Sequence, residues 1–125
     1  MSTKPPDNFI PQGSDGKPIM SLCLTCQGDV KVIVISGELD LATVHPLTEL
    51  VARVAEKRPT RVVIDMADVT FFSAAGLTAL LQARETITGI GGQLTVRAPS
   101  RITRTVLTIT DTDRLLLTET APAAA

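Results

Sequence analysis

Three short apolar runs constrain the architecture of this chain. Val30, Val32, Ile33, Val34 and Ile35 form a β-branched stretch broken only by Lys31. Val62, Val63, Ile64 and Met66 form a second, and Leu94, Val96 and Ala98 form one face of a third. Between these runs the apolar spacing changes. Leu47, Leu50, Val51, Val54 and Ala55 recur every three or four positions, as do Leu77, Leu80 and Leu81. The runs predict buried strands, and the wider spacing predicts amphipathic helices that pack on them. Alternation of strand and helix implies crossover connections, right-handed by a strong rule, and a mainly parallel sheet.

The boundaries follow from local chemistry. Met20, Leu22, Leu24 and Cys26 alternate with Ser21, Cys23 and Thr25, which predicts a half-buried strand. Gln27, Gly28 and Asp29 make a turn, so the first two strands form an antiparallel hairpin at the sheet edge. Thr43 is a candidate N-cap, Pro46 fits a first helical turn, and Pro59 stops that helix. Ser73 opens a second helix that Gly89 closes. Pro99 and Ser100 open a third, with Ile102, Val106 and Ile109 on one face. Residues 115–117 predict a last short strand. The order is β-β-α-β-α-β-α-β, a single α/β domain over residues 19–118. Residues 1–18, rich in Pro and Gly, are expected to be a flexible arm, and residues 119–125 a flexible tail. The start lacks the apolar core of a signal peptide, and no apolar run approaches the roughly 18 residues of a membrane span. A cytoplasmic protein is expected.

Composition narrows the partners. The net charge is −1, which removes the basic field that nucleic acids and anionic membranes demand. Three Phe and no Tyr or Trp leave too few rings for a base-stacking platform. One His and two Cys cannot supply a four-ligand structural zinc site without carboxylates or another chain. Hydrophobic residues make up 44% of the chain, enough for a packed core. No nucleic acid, membrane, metal or cofactor is expected as a direct partner.

Few groups suggest catalysis. His45, the sole imidazole, has no partnering nucleophile and reads as an exposed helix-start residue. Asp65 and Asp68 lack a third carboxylate and read as solvated loop acids. Gly89, Gly91 and Gly92 lack the Lys and Ser or Thr of a phosphate loop and read as a turn. Cys23 and Cys26 have a CxxC spacing. On a strand, three residues span about 10 Å and the side chains face opposite ways, whereas a disulfide needs Cα atoms within about 7 Å. Cys26 is therefore expected to face the core. Cys23 is expected to be partly exposed, a candidate for redox control or an intermolecular disulfide. An enzyme is not expected.

The segment Val69-Thr70-Phe71-Phe72-Ser73-Ala74-Ala75-Gly76-Leu77 joins a buried strand to a helix start and holds two of the three Phe. Ser73 is placed as an N-cap. Gly76 in the first turn costs about 1 kcal/mol relative to Ala, which makes sense where another surface approaches the backbone closely. A plain strand-to-helix connection accounts for the same residues equally well.

Four further motifs stand with it in order: Ser36-Gly37-Glu38-Leu39-Asp40-Leu41-Ala42-Thr43, Arg61-Val62-Val63-Ile64-Asp65, Gly91-Gly92-Gln93-Leu94 and Asp113-Arg114-Leu115. Together, over residues 20–118, they resemble a STAS domain, and more narrowly the bacterial anti-sigma factor antagonists. The resemblance implies a STAS-like fold and a non-enzymatic role in transcription regulation. Such antagonists bind an anti-sigma factor, often a serine kinase with a GHKL-type ATP site, and so free a sigma factor. The kinase phosphorylates a serine at the start of the second helix, which ends binding, and a phosphatase reverses it.

The chain departs from the family where that serine should stand. The family pattern is Asp-Ser-Ser-Gly-Leu, with the second Ser phosphorylated, and here the residues are Ser73-Ala74-Ala75-Gly76-Leu77. Ala75 occupies the acceptor position. Ser73, the remaining candidate for phosphorylation, lies two residues upstream at the cap. The usual phospho-switch is therefore expected to be absent. The partner surface is expected to involve Asp40, Thr43, Ser73, Ala74, Ala75 and Gly76. Asp40 serves there as a charged contact or as a turn residue before the first helix. The alternative reading is a STAS scaffold or a module that senses a small ligand, nucleotide or lipid. A monomer or weak homodimer is expected.

Overall fold

The computed structural model describes residues 8–9 and 19–116. Strand β2 (Met20–Gln27) and strand β3 (Val30–Leu39) form the predicted hairpin, turning at Gly28 with φ +65°. Parallel strands β4 (Arg61–Phe72) and β5 (Gln93–Arg97) follow beside β3. A two-residue strand, β1 (Asn8–Phe9), pairs antiparallel outside β2. The sheet order is β1-β2-β3-β4-β5, so β1 rather than the hairpin forms that edge. It lies within the segment expected to be an arm. The rest of that arm and the expected tail lie outside the described residues.

Helix α1 (Val44–Glu56) buries Leu47, Leu50, Val51, Val54 and Ala55, the stripe that the spacing predicts. Helix α2 (Ala74–Gly89) buries Gly76, Ala79, Leu80, Ala83 and Ile87, with Leu77 and Leu81 half-buried. The two helices pack on one another and on one sheet face. That face presents Ile33, Ile64 and Val96, paired across three adjacent strands. The opposite face buries Val32, Val63 and Thr95. Helix α2 ends one step later than predicted: Gly89 is helical, and Gly91 takes the left-handed φ of +89°. Gly91 N–H donates to the Thr88 carbonyl (3.0 Å) and Gly92 N–H to the Ile87 carbonyl (2.9 Å), the paired bonds that close a helix through a left-handed residue.

The third helix, α3 (Arg101–Ile109), is capped by Ser100 as predicted but turned differently. Its buried residues are Thr103 and Leu107, while Ile109 is 77% exposed and Ile102 and Val106 are half-buried. Ser100 Oγ donates to Thr103 Oγ1 at 3.0 Å, which satisfies the buried hydroxyl and lets a polar residue take a core position. Residues 115 and 116 of the predicted last strand instead belong to a short helix, α4 (Asp113–Leu116), and residue 117 lies outside the described residues. The Thr112 carbonyl accepts from Leu115 N–H (3.1 Å) and Leu116 N–H (3.2 Å), which commits the chain to a helical turn and seats Leu116 in the core. Consecutive leucines carry no period, so the sequence could not distinguish the two outcomes.

Candidate functional site

The candidate site lies at the carboxyl ends of β3 and β4. β3 continues to Leu39, and Gly37 within it has φ +92°. A Cβ at Gly37 would overlap the carbonyl of Ile19, and the next amide, Glu38 N–H, donates to that carbonyl at 2.9 Å. The loop that follows is tied to itself. The Asp40 carboxylate accepts from Ala42 N–H at 3.0 Å, and the Asp40 carbonyl accepts from Thr43 N–H and Val44 N–H, each at 3.0 Å. Asp40 therefore builds the turn into α1 while remaining partly exposed.

Thr43 does not cap α1 through its side chain as predicted. It is buried, and its hydroxyl points back into the loop, donating to the Glu38 carbonyl at 2.7 Å and accepting from Asp40 N–H at 3.0 Å. One side chain thus satisfies two backbone groups that the tight loop would otherwise orphan. Residues 38–43 are held in one shape from within.

The β4 side is fastened to this loop. Glu38 registers with Phe71 and Leu39 with Phe72. Register shifts put one extra β4 residue between Asp65 and Asp68 and another between Val69 and Phe71. Adjacent strand residues face opposite sides, so Phe72 is buried beside the core and Phe71 is 47% exposed. Ser73 N–H donates to the Leu39 carbonyl at 3.1 Å, and Ser73 Oγ accepts from Gly76 N–H at 3.4 Å as the predicted N-cap. Gly76 is buried. A Cβ on it would come within 2.8 Å of the Leu39 carbonyl oxygen and 3.0 Å of the Phe72 ring. The close approach that this glycine permits is internal: it seats the first turn of α2 on the end of β3.

The structure therefore brings the predicted residues together in two tiers. Ala74 is exposed, and Ala75, Ser73 and Asp40 are half-buried at the surface. Thr43 and Gly76 lie beneath and shape that surface. Two residues that the sequence reading missed complete it. Leu41 stands 81% exposed at the loop tip, and Phe71 faces out beside Glu38. An apolar residue between a strand end and a helix, out of phase with the Leu47 stripe, was the signal for Leu41. Phe71 could be separated from Phe72 only through the register.

Other candidates resolve into structure. His45 is exposed and pairs with Glu49 on the next turn of α1 at 3.2 Å. Asp65 is not a solvated loop acid. It lies on β4, opposite Arg97 of β5, and one carboxylate oxygen accepts from Arg97 Nε (3.0 Å) and Nη2 (2.8 Å), with both side chains about 20% exposed or less. Asp68 is exposed. Cys23 and Cys26 are both free and exposed, which corrects the expectation that Cys26 faces the core. Burial along β2 falls away toward the hairpin turn: Met20 and Leu22 are buried, Leu24 is half-buried and Cys26 is open. A groove between α1 and α2, lined by Thr48, Val51, Ala52, Ala79, Gln82, Ala83 and Thr86, holds about 90 Å³. Small-molecule sites usually span about 300–1,000 Å³. No helix among the described residues is long and apolar enough to cross a membrane.

Comparison with known proteins places this arrangement. The profile described as STAS domain matches residues 22–125. The anti-sigma-F factor antagonist RsfB of Mycobacterium tuberculosis is 40% identical over 58 residues, 46% of this chain and 48% of RsfB. The chain thus spans about half the length of the curated relatives it matches. An anti-sigma factor antagonist from Mycobacterium paratuberculosis aligns with a TM-score of 0.74 at 25% identity, over 86% of this chain and 89% of that one. The anti-sigma factor antagonist SpoIIAA in its unphosphorylated form shares the fold, with a TM-score of 0.72 at 17% identity over 82% and 90% of the two chains. With the profile spanning most of the sequence and the same fold in these solved structures, this chain belongs to the STAS domain family.

Proposed function

We propose that this protein is an anti-sigma factor antagonist that acts by docking rather than by catalysis. It binds an anti-sigma factor of the serine-kinase type, with a GHKL-type ATP site, and so frees a sigma factor for transcription. The observation that carries this reading is the continuous surface at the ends of β3 and β4. A self-braced loop at Asp40 and the first turn of α2 are locked to each other through Ser73 and Leu39. The relatives named as antagonists supply the class of partner.

The surface has a methyl group where the family carries its phosphoacceptor. Ala75 cannot accept a phosphoryl group, and Ser73, two residues earlier, is bonded at the cap. Docking is therefore independent of phosphorylation, and the protein stays competent to bind in the presence of ATP. A pull-down with candidate anti-sigma factors, using wild type and Ala75→Glu, tests both statements. Wild type is retained, and Ala75→Glu, which mimics part of a phosphate's charge, binds roughly tenfold or more weakly. Equal binding of the two proteins contradicts the surface. Stoichiometric phosphate on Ser73 or Thr78 after incubation with kinase and ATP contradicts the absence of a switch. A lipid or nucleotide that co-purifies in place of an anti-sigma factor favours the scaffold or ligand-sensing reading.

A further inference from the structure

Among the described residues, the charges on β3, β4 and α1 are sorted along the strand axis. Around the docking surface, residues 36–49 and 66–78 contain Glu38, Asp40, Glu49 and Asp68 and no Lys or Arg. Glu38 and Asp68 are exposed, and among the described residues neither carboxylate is held in an ion pair. On the β5 side, Arg97 is occupied by Asp65, and Arg101 opens α3. The opposite end of the sheet carries Lys31 at the start of β3, Arg61 at the start of β4, and Arg53, Lys57 and Arg58 around the end of α1. Asp29 and Glu56 are the acids among them. In the middle of the acidic end stand two exposed apolar side chains, Leu41 at the loop tip and the half-covered Phe71.

We infer that the partner meets this end with a cationic face around an apolar pocket, and that Leu41 is the anchor that enters the pocket. The inference rests on the preceding proposal for the class of partner and adds the chemistry of its docking face. A leucine 81% exposed at the tip of a braced loop gains burial on docking and loses little loop entropy. Glu38 and Asp68 form an acidic rim of the kind that sets encounter rate and orientation rather than residence time. The separation of charge along β3, β4 and α1 favours approach of the acidic end to a cationic partner before contact.

The test measures association and dissociation rates separately. The probe is the anti-sigma factor retained in the pull-down, mixed rapidly with wild type and variants. Raising NaCl from about 0.1 M to about 1 M shrinks the Debye length from about 10 Å to about 3 Å. Association slows roughly tenfold or more over that range, while dissociation changes less than about twofold. Glu38→Lys with Asp68→Lys slows association by a similar factor, and Glu56→Lys at the far end does not. Leu41→Ala speeds dissociation roughly tenfold with little change in association. Circular dichroism melts show that each variant is folded. Association indifferent to salt and to the double reversal overturns the cationic face, and unchanged dissociation of Leu41→Ala overturns the anchor. Failure of wild type to bind any anti-sigma factor is a different result, and it removes the proposed function itself.

Discussion

Replacing Thr43 by Val tests whether the docking loop is braced from within. The substitution keeps the branched shape and deletes one hydroxyl. That hydroxyl donates to the Glu38 carbonyl at 2.7 Å and accepts from Asp40 N–H at 3.0 Å, and Thr43 is 3% exposed. Its loss orphans one acceptor and one donor. Each orphaned group costs about 1–3 kcal/mol when buried, and both bonds here are only partly buried, so the low end applies twice, about 2 kcal/mol. For a domain of this size that lowers Tm by roughly 8–15 °C and moves a urea midpoint by about 1 M. Far-UV circular dichroism is the signal to follow, since the chain has no Trp or Tyr to report by fluorescence. Thr43→Ser keeps both hydrogen bonds and loses one buried methyl, about 0.8 kcal/mol. A loss below about 0.5 kcal/mol for Thr43→Val, or a larger loss for Thr43→Ser, refutes the bracing argument.

Two other outcomes follow from local geometry. Gly76→Ala gains about 1 kcal/mol of helix propensity but forces a Cβ against the Leu39 carbonyl and the Phe72 ring, so a net loss of about 1–3 kcal/mol is expected in thermal melts. A stabilised Gly76→Ala protein contradicts the internal close approach. Under oxidising conditions Cys23 and Cys26 form bonds between chains but none with each other, because β2 points them to opposite faces. Non-reducing peptide mapping that finds a Cys23–Cys26 bridge contradicts the strand geometry.

The parts of the fold set by regular periodicity were legible in the sequence. The α1 stripe from Leu47 to Ala55 and the hairpin turn at Gly28 follow from spacing and backbone chemistry alone. The losses came where a local pattern competes with a tertiary partner. Thr103 takes a core position because Ser100 satisfies its hydroxyl, which rotates α3 and leaves Ile109 outside. Cys26 is open because burial along β2 falls away toward the hairpin turn, although the alternation continues. Three consecutive leucines gave no period from which to tell α4 from a strand. At the site, the motif residues pointed to the right segments. They did not show that Thr43 and Gly76 lie beneath the surface or that Leu41 stands above it, since burial depends on the register of Leu39 with Phe72.

Sigma-factor release in the presence of ATP distinguishes docking on an anti-sigma factor without a phospho-switch from docking that phosphorylation ends. A preformed complex of sigma factor and anti-sigma kinase is titrated with this protein, before and after long incubation with ATP, while free sigma factor is measured. Docking without a switch gives stoichiometric release with the same midpoint in both titrations and no phosphate on the protein. Absence of release, or release that is lost after ATP as phosphate appears on Ser73 or Thr78, contradicts it.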